Sequence, residues 1–126
     1  MVPTMKRSLA VLIAMLAMPV WSAAPDETTR AEIAHLLKHL ESSGCQFQRN
    51  GTWHAPARAV SHLKQKYEYL LKRGLVTNTE SFIERAATVS SRSGKPYFVK
   101  CGDAPAVASA TWLSAELSNF RAKRVN

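Results

Sequence analysis

Five side chains at helical spacing are the first candidates for chemistry. Arg58, His62, Lys66, Tyr69 and Arg73 fall within about 80° of one another at the helical step of about 100° per residue. The face carrying Val60, Leu63, Tyr67 and Leu70 lies on the other side. Such a stripe can receive an anion. Lys66 and Arg73 would supply charge, Tyr69 a flat polar wall, and His62 the one group that titrates near neutrality. An ordinary solvated face of a basic protein has the same composition, and spacing alone does not separate the two.

The run Ser90-Ser91-Arg92-Ser93-Gly94, just ahead of Tyr97, is the second candidate. Hydroxyls and free backbone N–H groups beside a glycine that accepts positive φ can form an anion-binding nest. The same residue types also turn a chain from a helix toward a strand. If loop and stripe adjoin, Ser90, Ser91, Ser93 and Tyr97 join Arg58, His62, Lys66, Tyr69 and Arg73 in one ligand pocket.

Other constellations are weaker. Glu32, His35 and His39 stand at i, i+3 and i+7, and two imidazoles with a carboxylate are a ligand set for zinc or copper. No fourth ligand accompanies them, so the reading taken is a solvated helix face and no metal site is expected. Asp occurs only at 26 and 103 and no GxSxG elbow is present, which argues against a serine hydrolase. The enzyme alternative that remains is His62 as general base with a serine as nucleophile. Glu80 and Glu84 sit near a helix start, where negative charge complements the dipole. Trp53, Trp112 and Tyr97 read most simply as core. No glycine-rich phosphate loop occurs, and neither a cofactor nor a catalytic residue is expected.

The elements that must position these residues follow from punctuation. Thr29 with Glu32 forms a capping-box pattern. Ile33, Leu36, Leu37 and Leu40 then recur at helical spacing until Gly44, predicting a first helix over Thr29–Ser43. Asn50-Gly51 is the strongest two-residue hairpin signal, though an irregular turn would read the same. Pro56 opens a second helix with Val60, Leu63, Tyr67, Leu70 and Leu71 inward, and Gly74 ends it. Thr77 and Glu80 cap a third helix that buries Phe82, Ile83, Ala86 and Ala87. Pro96–Cys101 reads as a strand with Tyr97, Val99 and Cys101 on one side. A last helix, starting between Asp103 and Ser109, carries Trp112, Leu113, Leu117 and Phe120 and ends in a solvated Arg121-Ala122-Lys123-Arg124 tail. The expected fold is mainly α: four helices and a small β-hairpin or strand element around one core.

Length and composition agree. The 126 residues, 46% of them hydrophobic, suit a single packed domain. Lys6 and Arg7, the uncharged run Ser8–Val20 and the small residues Ser22, Ala23 and Ala24 have the order of a secretory leader cleaved after Ser22. The run is shorter than the ~20 residues of a spanning helix, so no transmembrane anchor is expected. Residues 23–126 would then form one exported domain with 15 basic and 9 acidic side chains, a net charge of +6. In the periplasm the partner of that charge would be an anionic envelope component or an acidic protein rather than nucleic acid. Export also gives Cys45 and Cys101, the only cysteines, an oxidising compartment in which to form a structural disulfide.

Four separated motifs carry a resemblance. Ser43-Gly44-Cys45-x-Phe47-x-Arg49-Asn50-Gly51-x-Trp53, His62-Leu63-x-x-Lys66-Tyr67-x-Tyr69-Leu70, Phe82-Ile83-Glu84 and Ser90-Ser91-x-Ser93-Gly94-x-Pro96-Tyr97 resemble, in that order, the YfeK-like family of small exported bacterial proteins. His54 departs from the pattern, where an aromatic such as Tyr would follow the Trp. The resemblance implies an exported domain of unknown function and brings no activity, substrate or cofactor with it. The sequence therefore points to a periplasmic binding or interaction module. The alternatives are a small hydrolase-like enzyme and a purely structural or assembly protein, which would expose a contiguous apolar patch.

Overall fold

A computed structural model describes residues 24–125, together with the isolated positions 3, 10, 13 and 14. Apart from those four positions, the leader expected over residues 1–22 lies outside the described residues.

The first helix, α1 (Glu27–Ser42), begins three residues earlier than the Thr29 cap predicts. Asp26 is the N-cap, its carboxylate accepting from the Thr29 amide at 2.8 Å. Any Ser, Thr, Asp or Asn can fill that role, and Asp26 reaches the free amides first. Ile33, Leu36, Leu37 and Leu40 are buried along one face. The helix closes with the Ser43 hydroxyl on the Leu40 carbonyl at 2.7 Å.

Two short strands follow, β1 (Gln46–Arg49) and β2 (Thr52–His54), paired antiparallel with Arg49 opposite Thr52. Asn50 and Gly51 have φ of 50° and 78°. Two successive positive φ values form the turn whose twist matches a two-residue hairpin. The irregular turn is thereby excluded.

Pro56 takes the first position of α2 (Pro56–Lys72), where its missing amide hydrogen costs nothing. Ala59, Val60, Leu63 and Leu70 form its buried face. In α3 (Thr79–Ala86) the cap moves one residue along from Thr77. Asn78 accepts from the Ser81 amide at 2.8 Å, and the Ser81 hydroxyl lies 3.2 Å from the Asn78 amide, which donates to it. That exchange leaves Thr79 at the first helical position, fully buried.

The strand expected at Pro96–Cys101 is β3 (Phe98–Lys100), and it pairs with β1 through Phe47 opposite Val99. A two-residue strand that the sequence does not announce, β4 (Val107–Ala108), pairs with the other edge of β3. The result is a four-stranded antiparallel sheet of order β2-β1-β3-β4. Gln46 stands opposite Lys100, so Cys45 and Cys101 are the next rung, and a disulfide joins them.

α4 (Ser109–Val125) buries Leu113 and Leu117 and half-buries Trp112 and Phe120. α1 packs on the other three helices, α2 meets β1, and α4 meets β3 and β4. The fold is mainly α with a small sheet. No helix among the described residues is long and apolar enough to cross a membrane.

Candidate functional site

The packing of α2 on β1 brings the helical stripe and the serine loop to one place. A cleft of about 410 Å³ opens there, with His62 and Lys66 from α2, Arg49 and Asn50 from the hairpin, and Ser90, Ser91, Arg92 and Tyr97 from the chain before β3. Arg49 reaches it because alternate residues of a strand share a face. Phe47 turns inward against the Tyr97 ring, with centroids 5.1 Å apart, and Arg49 follows two residues on. Tyr97 is 1% exposed, so its ring belongs to the core while its hydroxyl serves the cleft.

Hydrogen-bond geometry favours one tautomer of His62: the Arg49 Nη1 that lies 3.3 Å from Nε2 is closer to Nδ1. The Arg49 guanidinium donates to His62 Nδ1 at 2.8 Å. Arginine has no acceptor, so with Nδ1 as its nearer partner the neutral ring is assigned its hydrogen on Nε2. That nitrogen lies 3.2 Å from the Tyr97 hydroxyl oxygen and donates to it. Lys66 Nζ also donates to this oxygen at 3.2 Å and to the Val89 carbonyl at 3.2 Å. With two donors on its oxygen, the Tyr97 hydroxyl keeps its own hydrogen for an acceptor.

The electrostatics are one-sided. Burial, the Arg49 charge and the Lys66 charge push His62 down to about 4. Burial and Arg49 also lower Lys66, and burial raises Tyr97. Neither Asp nor Glu lines the cleft. Among the described residues the ion pairs of Glu32, Glu80 and Glu116 involve none of its cations.

A stability prediction follows from His62. The group titrates near 6.5 when unperturbed and near 4 in the fold, so the folded state binds fewer protons between those values. Its contribution is intact above pH 6.5 and is lost as pH falls toward 4. The full shift is worth about 3 kcal/mol, and partial exposure of the ring reduces the expected loss to about 2 kcal/mol. Urea unfolding at pH 7, 6 and 5 measures it. A His62→Gln variant should flatten this window, and an unchanged pH slope would contradict the assignment.

The structure divides the nine predicted site residues. His62, Lys66, Ser90, Ser91 and Tyr97 line the cleft. Arg58 lines a neighbouring recess that also contains His62. Ser93 lies at the margin, its hydroxyl donating to the Asn50 side chain at 2.6 Å. Tyr69 and Arg73 do not belong. The Arg73 guanidinium sits over the Tyr69 ring at 4.4 Å, further along α2. A helical stripe spans several turns, and the hairpin covers only its N-terminal part.

Of the two readings of the serine loop, the structure shows the turn and not the anion-binding nest. The amides of Arg92 and Ser93 lie 3.3 and 3.4 Å from the Ser90 hydroxyl oxygen. Those of Ser90, Gly94 and Lys95 donate to the Lys95 carbonyl, the Ser90 carbonyl and the Ser93 hydroxyl. Those five amides are spent on the loop's own turn, and the loop offers the cleft mainly side chains. Nor does His62 pair with a serine, because its ring nitrogens face Arg49 and Tyr97. Arg49, Asn50, Gln65 and Arg92 complete the lining; Gln65 stands beside the stripe on α2, and spacing on that helix misses the other three, which lie on other segments. Arg49 could have been found from strand alternation after Phe47.

Further expectations are corrected around α1. Glu32 is not on a solvated face: it is 2% exposed and accepts from Arg121 at 2.8 and 3.0 Å, Arg124 at 2.7 Å and the Thr79 hydroxyl at 2.6 Å. The basic tail is therefore docked rather than free, and Glu80 also pairs with Arg121 instead of serving only as a capping charge. His35 and His39 flank Glu116 at 2.8 and 3.5 Å and lie against Phe120 and Trp112. An apolar groove also runs between α1 and α2, lined by Ile33, Ala34, Leu37, Tyr67 and Leu71 and rimmed by charged residues.

Comparison places this four-helix domain, with its disulfide-bridged small sheet, in a family. Residues 27–121 match the model of a family of unknown function, DUF5329, and the chain belongs to that family. The chain is similar to an uncharacterized protein, YfeK, of Salmonella typhimurium, with 36% identity over 89 residues covering 70% of this chain and 72% of the relative. No solved structure matches.

Proposed function

We propose that this chain is an exported, periplasmic binding module that holds an anionic group of an envelope component in the Arg49–Lys66–Arg92 cleft. The observation that carries the reading is convergence: three cations and the Tyr97 hydroxyl line one cleft that contains no carboxylate. Cations without a carboxylate partner in a concave site raise the local concentration of anions and steer them inward. Arg49 and Arg92 offer forked donors to an oxyanion, Lys66 a point charge, and Tyr97 a neutral O–H. The leader-like N-terminus and the disulfide support export.

Inorganic phosphate and vesicles containing anionic lipid, titrated against the mature protein at low and moderate salt, test the reading. Binding should weaken with salt, as partly exposed charges are screened. Lys66→Ala and Arg49→Ala should each weaken it about tenfold. Arg73→Ala, which removes an equal charge away from the cleft, should leave it unchanged. Absence of binding at low salt, or equal losses in all three variants, would remove the proposal.

A further inference from the structure

The cleft does not end at His62. A second recess of about 300 Å³ shares Arg49, His62 and Gln65 with it and adds Arg58, Ser61 and His54. This recess also lacks a carboxylate. The two spaces therefore have a positive pole on each side, Lys66 with Arg92 in one and Arg58 in the other, and Arg49 belongs to both. Between the poles the shared side chains are His62 and Gln65, whose amide can donate and accept at once. A single small anion satisfies one pole and leaves the other without a partner.

We infer that the ligand of this site is a sugar carrying two phosphate-type groups, one at Lys66 and Arg92, the other at Arg58, with its hydroxylated body across Gln65. This rests on the anion-binding reading above and names the class of ligand. Two anchors on one molecule make the second contact intramolecular, so the doubly charged ligand gains over the singly charged one without any new type of interaction. Such a sugar occurs either free or as the headgroup of a glycolipid, and the two sources present the same chemistry to the cleft.

The test compares inorganic phosphate, glucose 1-phosphate, glucose 1,6-bisphosphate and tripolyphosphate by calorimetry at low salt. A parallel arm uses vesicles of neutral lipid doped with a glycolipid whose disaccharide carries two phosphates. Glucose 1,6-bisphosphate or the doped vesicle should bind at least about tenfold more tightly than glucose 1-phosphate. Preference for the free sugar assigns a soluble ligand, and preference for the vesicle a membrane-borne one. Arg58→Ala and Arg58→Gln should bring the doubly charged ligand down to the level of glucose 1-phosphate and leave the latter unchanged. Lys66→Ala should weaken both. Arg58 is exposed on α2, so unaltered melting of its variants is expected and is checked alongside.

Equal binding of singly and doubly phosphorylated sugar, or an Arg58→Ala loss common to both, overturns this inference while the cleft reading stands. Tripolyphosphate binding as tightly as the sugar bisphosphate overturns the sugar. Failure of every probe to bind the unaltered protein overturns the cleft reading itself.

Discussion

The Cys45→Ala/Cys101→Ala chain is expected to melt about 20 °C below the oxidised protein. The bridge spans a sequence separation of 56 residues, and the chain-entropy model gives about 4 kcal/mol for closing a loop of that size. A domain near 100 residues loses several degrees per kcal/mol, hence the size of the shift. Geometry supports a full effect. The cystine occupies the rung next to Gln46 and Lys100, so it extends an existing ladder, and removing it leaves β1 and β3 joined by very few backbone hydrogen bonds. Melting followed by circular dichroism, with and without reductant, should give the same drop for the reduced protein as for the double variant. A loss below about 1 kcal/mol would mean that the sheet closes this loop without help.

Removing both guanidinium groups from Glu32 should be the second large effect. Arg121→Met/Arg124→Met leaves a carboxylate whose side chain is 3% exposed with Thr79 as its remaining donor. Stranding a buried charge typically costs about 3–5 kcal/mol. The arginines are themselves about 40% exposed, and water reaching the stranded acid lowers the expected loss to about 3 kcal/mol. Adding Glu32→Met should recover most of it, since three apolar side chains leave no charge buried alone. A triple variant no more stable than the double would show that packing, and not charge, is what the arginines supply.

The same carboxylate governs acid stability. The Arg121 hydrogen bonds, opposed in part by burial and helped by Thr79 and Arg124, bring Glu32 from 4.5 down to about 2. A carboxyl depressed on folding stabilises above its unfolded value and loses that contribution as pH falls through 4.5 toward 2. This window lies below the His62 one. Acid unfolding should therefore steepen in two stages, and the lower stage should shrink in the triple variant, leaving the part that Asp26 and Glu116 contribute.

The elements were legible because each has a local cause. Asn50-Gly51 demands positive φ, Pro56 suits only a helix start, and the leucines of α1 and α2 recur at one period. Capping was read one to three residues off because Asp26, Thr29, Thr77, Asn78 and Thr79 are all competent caps, and the choice falls to whichever side chain meets free amides first. The four-stranded sheet was only half legible, since β4 has two residues and exists because β3 offers it an edge. The cleft required knowing that α2 packs on β1, which no periodicity states. Arg49 and Arg92 contribute from chain segments outside the stripe, and Tyr69 and Arg73 share its angle but not its neighbours. The largest misreading, a solvated Glu32, has the same origin. Its charged partners lie 89 and 92 residues away, beyond any window in which local pattern speaks.

That distance also sets an order of events. A nascent polypeptide releases Glu32 in its first helix long before Arg121 and Arg124 exist to neutralise it. Until the closing helix arrives, α1 can gather its leucines but cannot seat its acid, so the domain has to be completed rather than extended turn by turn. Shortening the chain ahead of Arg121 would thus do more than trim an end: it would leave the opening helix without the latch that shuts it.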